Sequence, residues 1–261
     1  MEYYGEHGRH DLPWRKKQTP YHVLVSEIML QQTQVDRVIP FFKSWMKSFP
    51  TITKLAVAKQ SDVLKHWKGL GYNSRALRLQ KCAQIIVREY KGRIPKTYNQ
   101  LLTLPGVGPY TAAAIMNFAY DTWTPLIETN IRRIFIHHFF ANKINISDAE
   151  IMEMVDIVGY YESPRVWCAA LMDYGSTLPK IVAHNPNTRS VHYVKQSAFR
   201  GSDREIRGKI LDILLQAKNH KISEMKLFKE LGNEIERYKK ILTDLKKEGF
   251  IQKQKKSIIL R

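Results

Sequence analysis

Two cysteines, Cys82 and Cys168, are all that the 261 residues contain. They stand far apart and without partners at metal-ligand spacing. That excludes a disulfide framework and a four-cysteine metal site within the chain. Both read as small buried hydrophobes. Acid is scarce too: 24 Asp and Glu face 42 Lys and Arg, a formal net charge of +18. That excess points to a polyanionic partner, nucleic acid ahead of an anionic membrane surface. No apolar run approaches the ~20 residues of a membrane-spanning helix. The opening MEYYGEHGRH has no signal-peptide core. These absences predict an intracellular, cytoplasmic protein with no membrane partner. The composition, 44% hydrophobic and 25% charged, is that of a globular chain, with length for one large domain or two modest ones.

What is present is helical. TPYHVLVSEIMLQQTQVDRVIPFFKSWMKSF (19–49) carries apolar residues at helical spacing, starts at Thr19-Pro20 and is expected to break at Pro40. Further helices are predicted within 52–71, closed by Gly-Leu-Gly, and over 74–95, closed by Gly92 and Pro95. A helix, glycine turn and helix are predicted over 97–120, and two more helices within 147–161 and 164–175. No strand is predicted before residue 200. On composition alone TPLIETNIRR (124–133) reads as a turn with a surface acid, Glu128. The segment 176–204, rich in Pro, Asn, Ser and basic residues, reads as a loop. Three helices (203–219, 223–232, 233–249) and a terminal hairpin in FIQKQKKSIILR then suggest a winged helix. Its third helix is the natural groove reader, although such modules also dock proteins.

LPGVGPYTA (104–112) is the most specific local signal. Gly106 and Gly108 permit backbone angles closed to other residues and let a phosphate approach the main chain. A helix expected to start near Thr111 would aim its free N–H groups at that anion.

These residues belong to a larger pattern. LPWR (12–15), TPYHVLVSEIMLQQTQV (19–35), WKGLGY (67–72), LPGVGPYTAAAI (104–115), IETNIRR (127–133) and ALMDYG (170–175) resemble the helix-hairpin-helix (HhH-GPD) DNA glycosylases, the superfamily of endonuclease III. SEIMLQQTQV resembles its MutY-like adenine glycosylase branch. The resemblance implies an all-α, two-lobed body with its active site in the cleft between lobes, followed by the small winged helix. The expected boundaries are 1–180 for the catalytic domain, 181–202 for a basic closing segment without an iron–sulfur cluster, and 203–261 for the winged helix.

Breaking a base–sugar bond calls for an acid on the leaving base and a carboxylate beside the sugar cation, and the base must first be flipped out. By resemblance Glu27 is the glutamate that protonates adenine and later assists water. Glu128 occupies the place of the family's catalytic aspartate, and Asn130 helps hold it. Tyr110 stands where bifunctional relatives carry a Schiff-base lysine. Tyrosine cannot form that adduct, and Lys81 and Lys180 lie elsewhere, so a monofunctional enzyme without lyase activity is implied. Arg15 matches a pocket residue near the extruded base. Gln32 and Tyr72 match residues that push into the duplex. Leu104, Gly106, Val107, Gly108 and Thr111 form the hairpin that grips the backbone.

Four departures accompany the resemblance. Glu128 is one methylene longer than aspartate, and a displacement of about an ångström costs on the order of a hundredfold in rate. Pro179 occupies the first cluster-ligand position and no later cysteine follows. Packing of residues 176–202 must close that end, and Lys180, His184, Arg189, His192, Lys195 and Arg200 are expected to line DNA. Ala169 replaces a Gln or Glu that contacts the adenine edge, which weakens the case for adenine. The family's C-terminal reader of oxidised guanine has no counterpart, leaving Gln32 and Tyr72 to sense the lesion. The expected function is excision of mispaired adenine opposite 8-oxoguanine or guanine. The alternatives are thymine or uracil excision from guanine mispairs, and a non-catalytic DNA-binding protein. The expected partner is double-stranded DNA carrying a mispair or lesion, met by a monomer in a prokaryotic-type, nucleoid-associated setting. No metal site is expected and no cofactor is required; a structural monovalent cation at the hairpin is the one ion the resemblance admits.

Overall fold

The computed structural model describes residues 1–195, 198–232 and 234–261. Gln196 and Ser197, in the expected closing segment, and Asn233, the expected first residue of the last helix, lie outside the described residues. The chain forms two compact units, one from residues 1–32 and 89–195, the other from 33–88 and 196–261.

The first unit opens with α1 (Glu2–His7), α2 (Pro13–Lys16) and α3 (Pro20–Leu30). Thr19 caps α3 by accepting from the backbone N–H of His22, and Pro20 occupies the first turn, where its missing N–H costs nothing. Tyr21 and residues 23–29 are all buried, so α3 is enclosed on every side. The sequence rules placed a break at Pro40. The chain instead breaks at Gln31–Gln34, where Gln32 is left-handed (φ 54°), and Pro40 lies inside the next helix. Pro40 and Asp36 are exposed there, so the carbonyl that the proline ring deprives of a donor faces water.

The second unit takes α4 (Val35–Ser48), α5 (Ile52–Ala56), α6 (Gln60–Trp67) and α7 (Ser74–Tyr90) as far as Arg88. The helix expected within 52–71 is therefore two. Buried Trp45 and Trp67 meet edge to face with ring centres 5.5 Å apart. The Trp67 indole N–H donates to the Gly71 carbonyl at 3.0 Å, tying the WKGLGY turn to that core.

Returning to the first unit, the chain forms α8 (Tyr98–Leu102), α9 (Pro109–Tyr120), α10 (Thr129–Phe139), α11 (Asp148–Val158) and α12 (Pro164–Ile181). α9 is as enclosed as α3: residues 111–118 are all buried, and the small Ala112–Ala114 run lets α3 pack closely against it. α10 packs on α12 and α12 on α9. Gly175 of α12 lies so near α10 that a Cβ there would sit 2.4 Å from the Asn130 carbonyl oxygen. α10 was not among the predicted helices, because its start is disguised as the turn containing Glu128.

The second unit ends with α13 (Asp203–Gln216), β1 (Lys221–Ser223), α14 (Glu224–Leu231), α15 (Ile235–Lys247), β2 (Ile251–Gln254) and β3 (Ser257–Leu260). The sheet is antiparallel in the order β1-β3-β2, with Ile222 opposite Ile258 and Ile251 opposite Leu260. Three helices and this sheet make the expected winged helix. The added strand, β1, is three residues long and lies between helices, too short for alternation to reveal it.

Candidate active site

α3 brings Glu27 into the interior, and nothing in that enclosed helix hydrates a charge. Glu27 is 5% exposed. Its carboxylate accepts from the Tyr110 hydroxyl at 2.7 Å, across from the first turn of α9. Burial, seconded by the nearby Glu128 charge, pushes the Glu27 carboxyl up to about 7, while the Tyr110 bond and Arg15 oppose the rise. The Tyr110 hydroxyl is itself held well above its usual range, first by burial and then by the two glutamates. At neutral pH it is therefore a proton donor to Glu27, not an anion.

Glu128 is no surface acid. It is the N-cap of α10, and its Oε1 accepts from the backbone N–H of Asn130 (2.7 Å) and Ile131 (2.9 Å). Its Oε2 accepts from Asn130 Nδ2 at 3.1 Å. Burial holds the Glu128 carboxyl above its ordinary value, and the two backbone donors, then Arg133 and Arg132, recover only part of that rise. Three donors and a helix N-terminus favour a carboxylate there. The Glu128 side chain thus folds back onto the free N–H groups of α10, bonds that a capping aspartate also makes. The loop that delivers Glu128 is pinned by buried Asn117, which donates to the carbonyls of Ala113 (2.9 Å) and Thr124 (2.7 Å) and accepts from the Thr124 N–H (3.3 Å). Asn130 is oriented in turn: its Oδ1 accepts from Arg133 Nη1 at 2.9 Å, and Arg133 also bonds the Gly175 carbonyl.

The fold brings Glu27, Tyr110, Glu128 and Asn130 together in the first unit. Arg15 lies near enough to lower the Glu27 carboxyl. It is no surface cation: it makes a two-pronged bond to Asp173 of α12 (2.6 and 2.9 Å), which Arg9 shares (2.6 and 2.7 Å). Asp173, 2% exposed, is held below the usual carboxylate range because the bonds and charge of Arg15 and Arg9 outweigh its burial.

In the hairpin only Gly106 has a left-handed backbone (φ 83°); Gly108 is extended and caps α9. A Cβ on Gly108 would meet nothing within 4 Å, so its use is an open approach to the main chain. α9 starts at Pro109, two residues before the expected start. Leu104, Val107 and Thr111 are buried, and Thr111 Oγ1 accepts from Gln31 Nε2 at 3.4 Å. Their side chains build the hairpin, leaving the backbone N–H groups of Tyr110 and Thr111 at its tip. Gln32 is exposed. Tyr72 belongs to the second unit, where its backbone is left-handed (φ 47°). Ala169 is buried in α12.

Comparison with known proteins places this arrangement. The profile of the HhH-GPD superfamily of base excision DNA repair proteins matches residues 25–162. The chain belongs to that superfamily. It is 36% identical over 227 residues to the adenine DNA glycosylase of Mycolicibacterium smegmatis, covering 80% of this chain and 77% of that protein. Among solved structures it is similar to a thermostable thymine-DNA glycosylase (TM-score 0.58, 27% identity, 64% of this chain and 79% of that one). It also shares its fold with endonuclease III trapped as a covalent intermediate with DNA (TM-score 0.54, 17% identity, 64% and 76%).

An iron–sulfur cluster, expected in many superfamily members, does not fit the residues present. Such a cluster takes four thiolates, and the chain has two cysteines, one on α7 and one on α12. Burial pushes both thiols up to about 12, the state of inert core residues. No group of three or more His, Cys, Asp or Glu with metal-binding geometry occurs among the described residues. Instead, residues 185–191 pack on α10. Asn187, buried, donates to the Thr129 carbonyl at 3.0 Å. Arg189 bonds the carbonyls of Ile136 (2.8 Å), Phe140 (2.7 Å) and Ala141. Arg189 therefore closes the end of α10.

Sequence reasoning missed Asp173, Arg9, Arg133 and Asn117. An aspartate inside the apolar ALMDYG block, opposite LPWR, was the available signal for the first. For the others the decisive partner lies outside their own helix: Asp173 for Arg9, the Gly175 carbonyl for Arg133 and Thr124 for Asn117.

Proposed function

We propose that this protein is a monofunctional DNA glycosylase that excises adenine from mispairs with 8-oxoguanine or guanine. The observation that carries the reading is buried Glu27, bonded to half-buried Tyr110, beside the donor-bound Glu128. One carboxyl is pushed up to about 7 and still holds its proton near neutrality; the other sits where three donors favour the anion. Two carboxyls with such divided environments are an acid and an electrostatic stabiliser.

Glu27 delivers its proton to a ring nitrogen of the flipped adenine. The C1′–N9 bond then breaks, its electron pair leaving with the base. Glu128, as an anion, stabilises the cationic sugar, and Asn130 holds it in register. Water adds to C1′ and passes a proton to the Glu27 carboxylate, restoring the acid. Tyr110 offers no amine for a Schiff base, so an intact abasic strand results. Duplex DNA, gripped at the Gly106–Gly108 hairpin and probed by Gln32 and Tyr72, is the proposed partner. The setting is cytoplasmic and nucleoid-associated, with no iron–sulfur cluster.

The test is a panel of duplexes with A·8-oxoguanine, A·G, T·G and U·G pairs, read with and without alkali. Breaks at adenine only after alkali are expected. Release of thymine or uracil instead would favour the second reading, which the likeness to a thymine-DNA glycosylase and the small, apolar Ala169 support. Breaks without alkali would refute the monofunctional assignment. Glu27→Gln should abolish excision while retaining DNA binding.

A further inference from the structure

Tyr72 ends the WKGLGY turn in a left-handed conformation, which a residue with a Cβ keeps only where its surroundings hold it. Two guanidinium groups do so. Arg75, buried in α7, donates to the carbonyls of Gly71 (3.0 Å) and Tyr72 (3.4 Å) and to Thr33 Oγ1 (3.1 Å). Its guanidinium carbon lies 5.4 Å from the Tyr72 ring centre. Arg75 thus holds the backbone of the turn. Arg204, from the winged helix, holds the far end of the side chain. Its Nη1 donates to the Tyr72 hydroxyl at 2.7 Å, and its guanidinium carbon lies 5.6 Å from the ring centre.

Arg204 is itself braced. It is the second residue of α13, and Arg237 of α15 secures that helix start by donating to Asp203 (2.7 Å) and the Gly201 carbonyl (2.7 Å). Glu205 accepts from the Gly201 N–H at 2.7 Å. Two further links join the winged helix to the segment bearing Tyr72: Lys68 pairs with Asp212 at 3.4 Å, and Gln60 Nε2 donates to the Gly249 carbonyl at 3.1 Å. A tyrosine entering a base stack must give up its rotamer freedom, and one already held has less to lose.

We propose that Arg204 is a positioning residue for lesion probing, presetting the Tyr72 side chain for insertion, so that the winged helix serves as a brace for the WKGLGY turn. This rests on the proposed reading that Tyr72 enters the duplex. It assigns the C-terminal domain a role in recognition that needs no base contact of its own.

The experiment uses the full chain and a duplex with 2′-fluoro-deoxyadenosine, which resists excision, opposite 8-oxoguanine. Affinity is compared with that for a matched duplex, and 2-aminopurine beside the mispair reports opening of the stack. Arg204→Ala and Tyr72→Phe should each lower mispair preference by roughly fivefold, the effect of one hydrogen bond. The double variant should lose no more than either single one. The 2-aminopurine rise should shrink in parallel, and Arg204→Lys should recover part of it. Unchanged or increased preference in Arg204→Ala would overturn the proposal, as would losses that multiply in the double variant. If Arg204→Ala does not fold, Tyr72→Phe with and without Arg204→Lys gives the same comparison. A wild type without mispair preference would overturn this proposal together with the role of Tyr72. A wild type that binds as expected but releases no adenine would count against the proposed chemistry alone.

Discussion

Replacing Glu27 with glutamine should stabilise the fold at neutral and alkaline pH while removing its chemistry. Glutamine has nearly the same shape, and its carbonyl oxygen can still accept from the Tyr110 hydroxyl. What changes is charge. The wild-type carboxyl titrates at about 7 in the folded protein against 4.5 for the free group. Between those values the folded protein holds a proton that the unfolded chain has released, so wild-type stability falls as pH rises through this window. The fall levels off above it, where it amounts to roughly 3 kcal/mol. Glutamine carries no such dependence. For a chain of this size 1 kcal/mol moves the melting temperature by about 2–4 °C. Thermal unfolding of both proteins from pH 4.5 to 8.5 should therefore show the variant's advantage growing with pH by roughly 6–12 °C. A melting-temperature difference that stays constant from pH 5 to 8 would refute the claim that Glu27 titrates high because it is buried. Loss of excision at every pH should accompany the gain. An active site that stores an uncomfortable acid is then measurable as a stability cost.

Other perturbations follow the same physics. The Tyr110 hydroxyl lowers the Glu27 carboxyl from where burial alone would hold it. Tyr110→Phe should therefore move the alkaline fall of single-turnover excision to higher pH; a shift to lower pH would contradict this. Asp173→Asn leaves Arg15, 11% exposed at its side chain, without its anion and should cost about 3 kcal/mol by denaturant unfolding. The stability that wild-type Asp173 supplies is present above the unfolded carboxyl value and is lost as pH falls through its lowered folded one. Gly175→Ala would push a methyl group against the Asn130 backbone, 2.4 Å from its carbonyl oxygen. It should cost about 1–3 kcal/mol and slow excision as Glu128 loses its support, and a variant as stable and fast as wild type would exclude that packing argument. Glu128→Asp keeps a good capping residue at the start of α10 and should leave stability within about 1 kcal/mol of wild type by denaturant unfolding; a larger loss would mean that the cap needs the longer side chain, and faster excision would show that the extra methylene is a handicap for the chemistry.

Much of this was legible in the linear chain. Periodicity located α3, α7, α9, α11 and the winged-helix helices, because one-sided or total burial leaves an apolar pattern at 3.6-residue spacing. The motif blocks located Glu27, Tyr110, Glu128 and Asn130. What misled were signals whose meaning is set by context. Pro40 is tolerated within α4 because its unpaired carbonyl faces water. Gly108 looked like a strained glycine and is an extended cap. Arg189 read as a basic residue of a loop, and its guanidinium closes the end of α10.

By itself, then, the sequence determined an all-α chain with a basic surface, a glycine hairpin, two candidate carboxyls and too few thiols for a cluster. Those follow from composition, spacing and residue type, which are properties of the chain before it folds. Only the tertiary structure decided what each charge does. It enclosed Glu27 until its carboxyl titrates near neutrality, set Glu128 on the free N–H groups of α10, and bound Arg15 to Asp173, 158 residues away. It also laid Arg204 of the winged helix against Tyr72. Desolvation and long-range hydrogen bonds depend on which elements meet, and no local pattern encodes that.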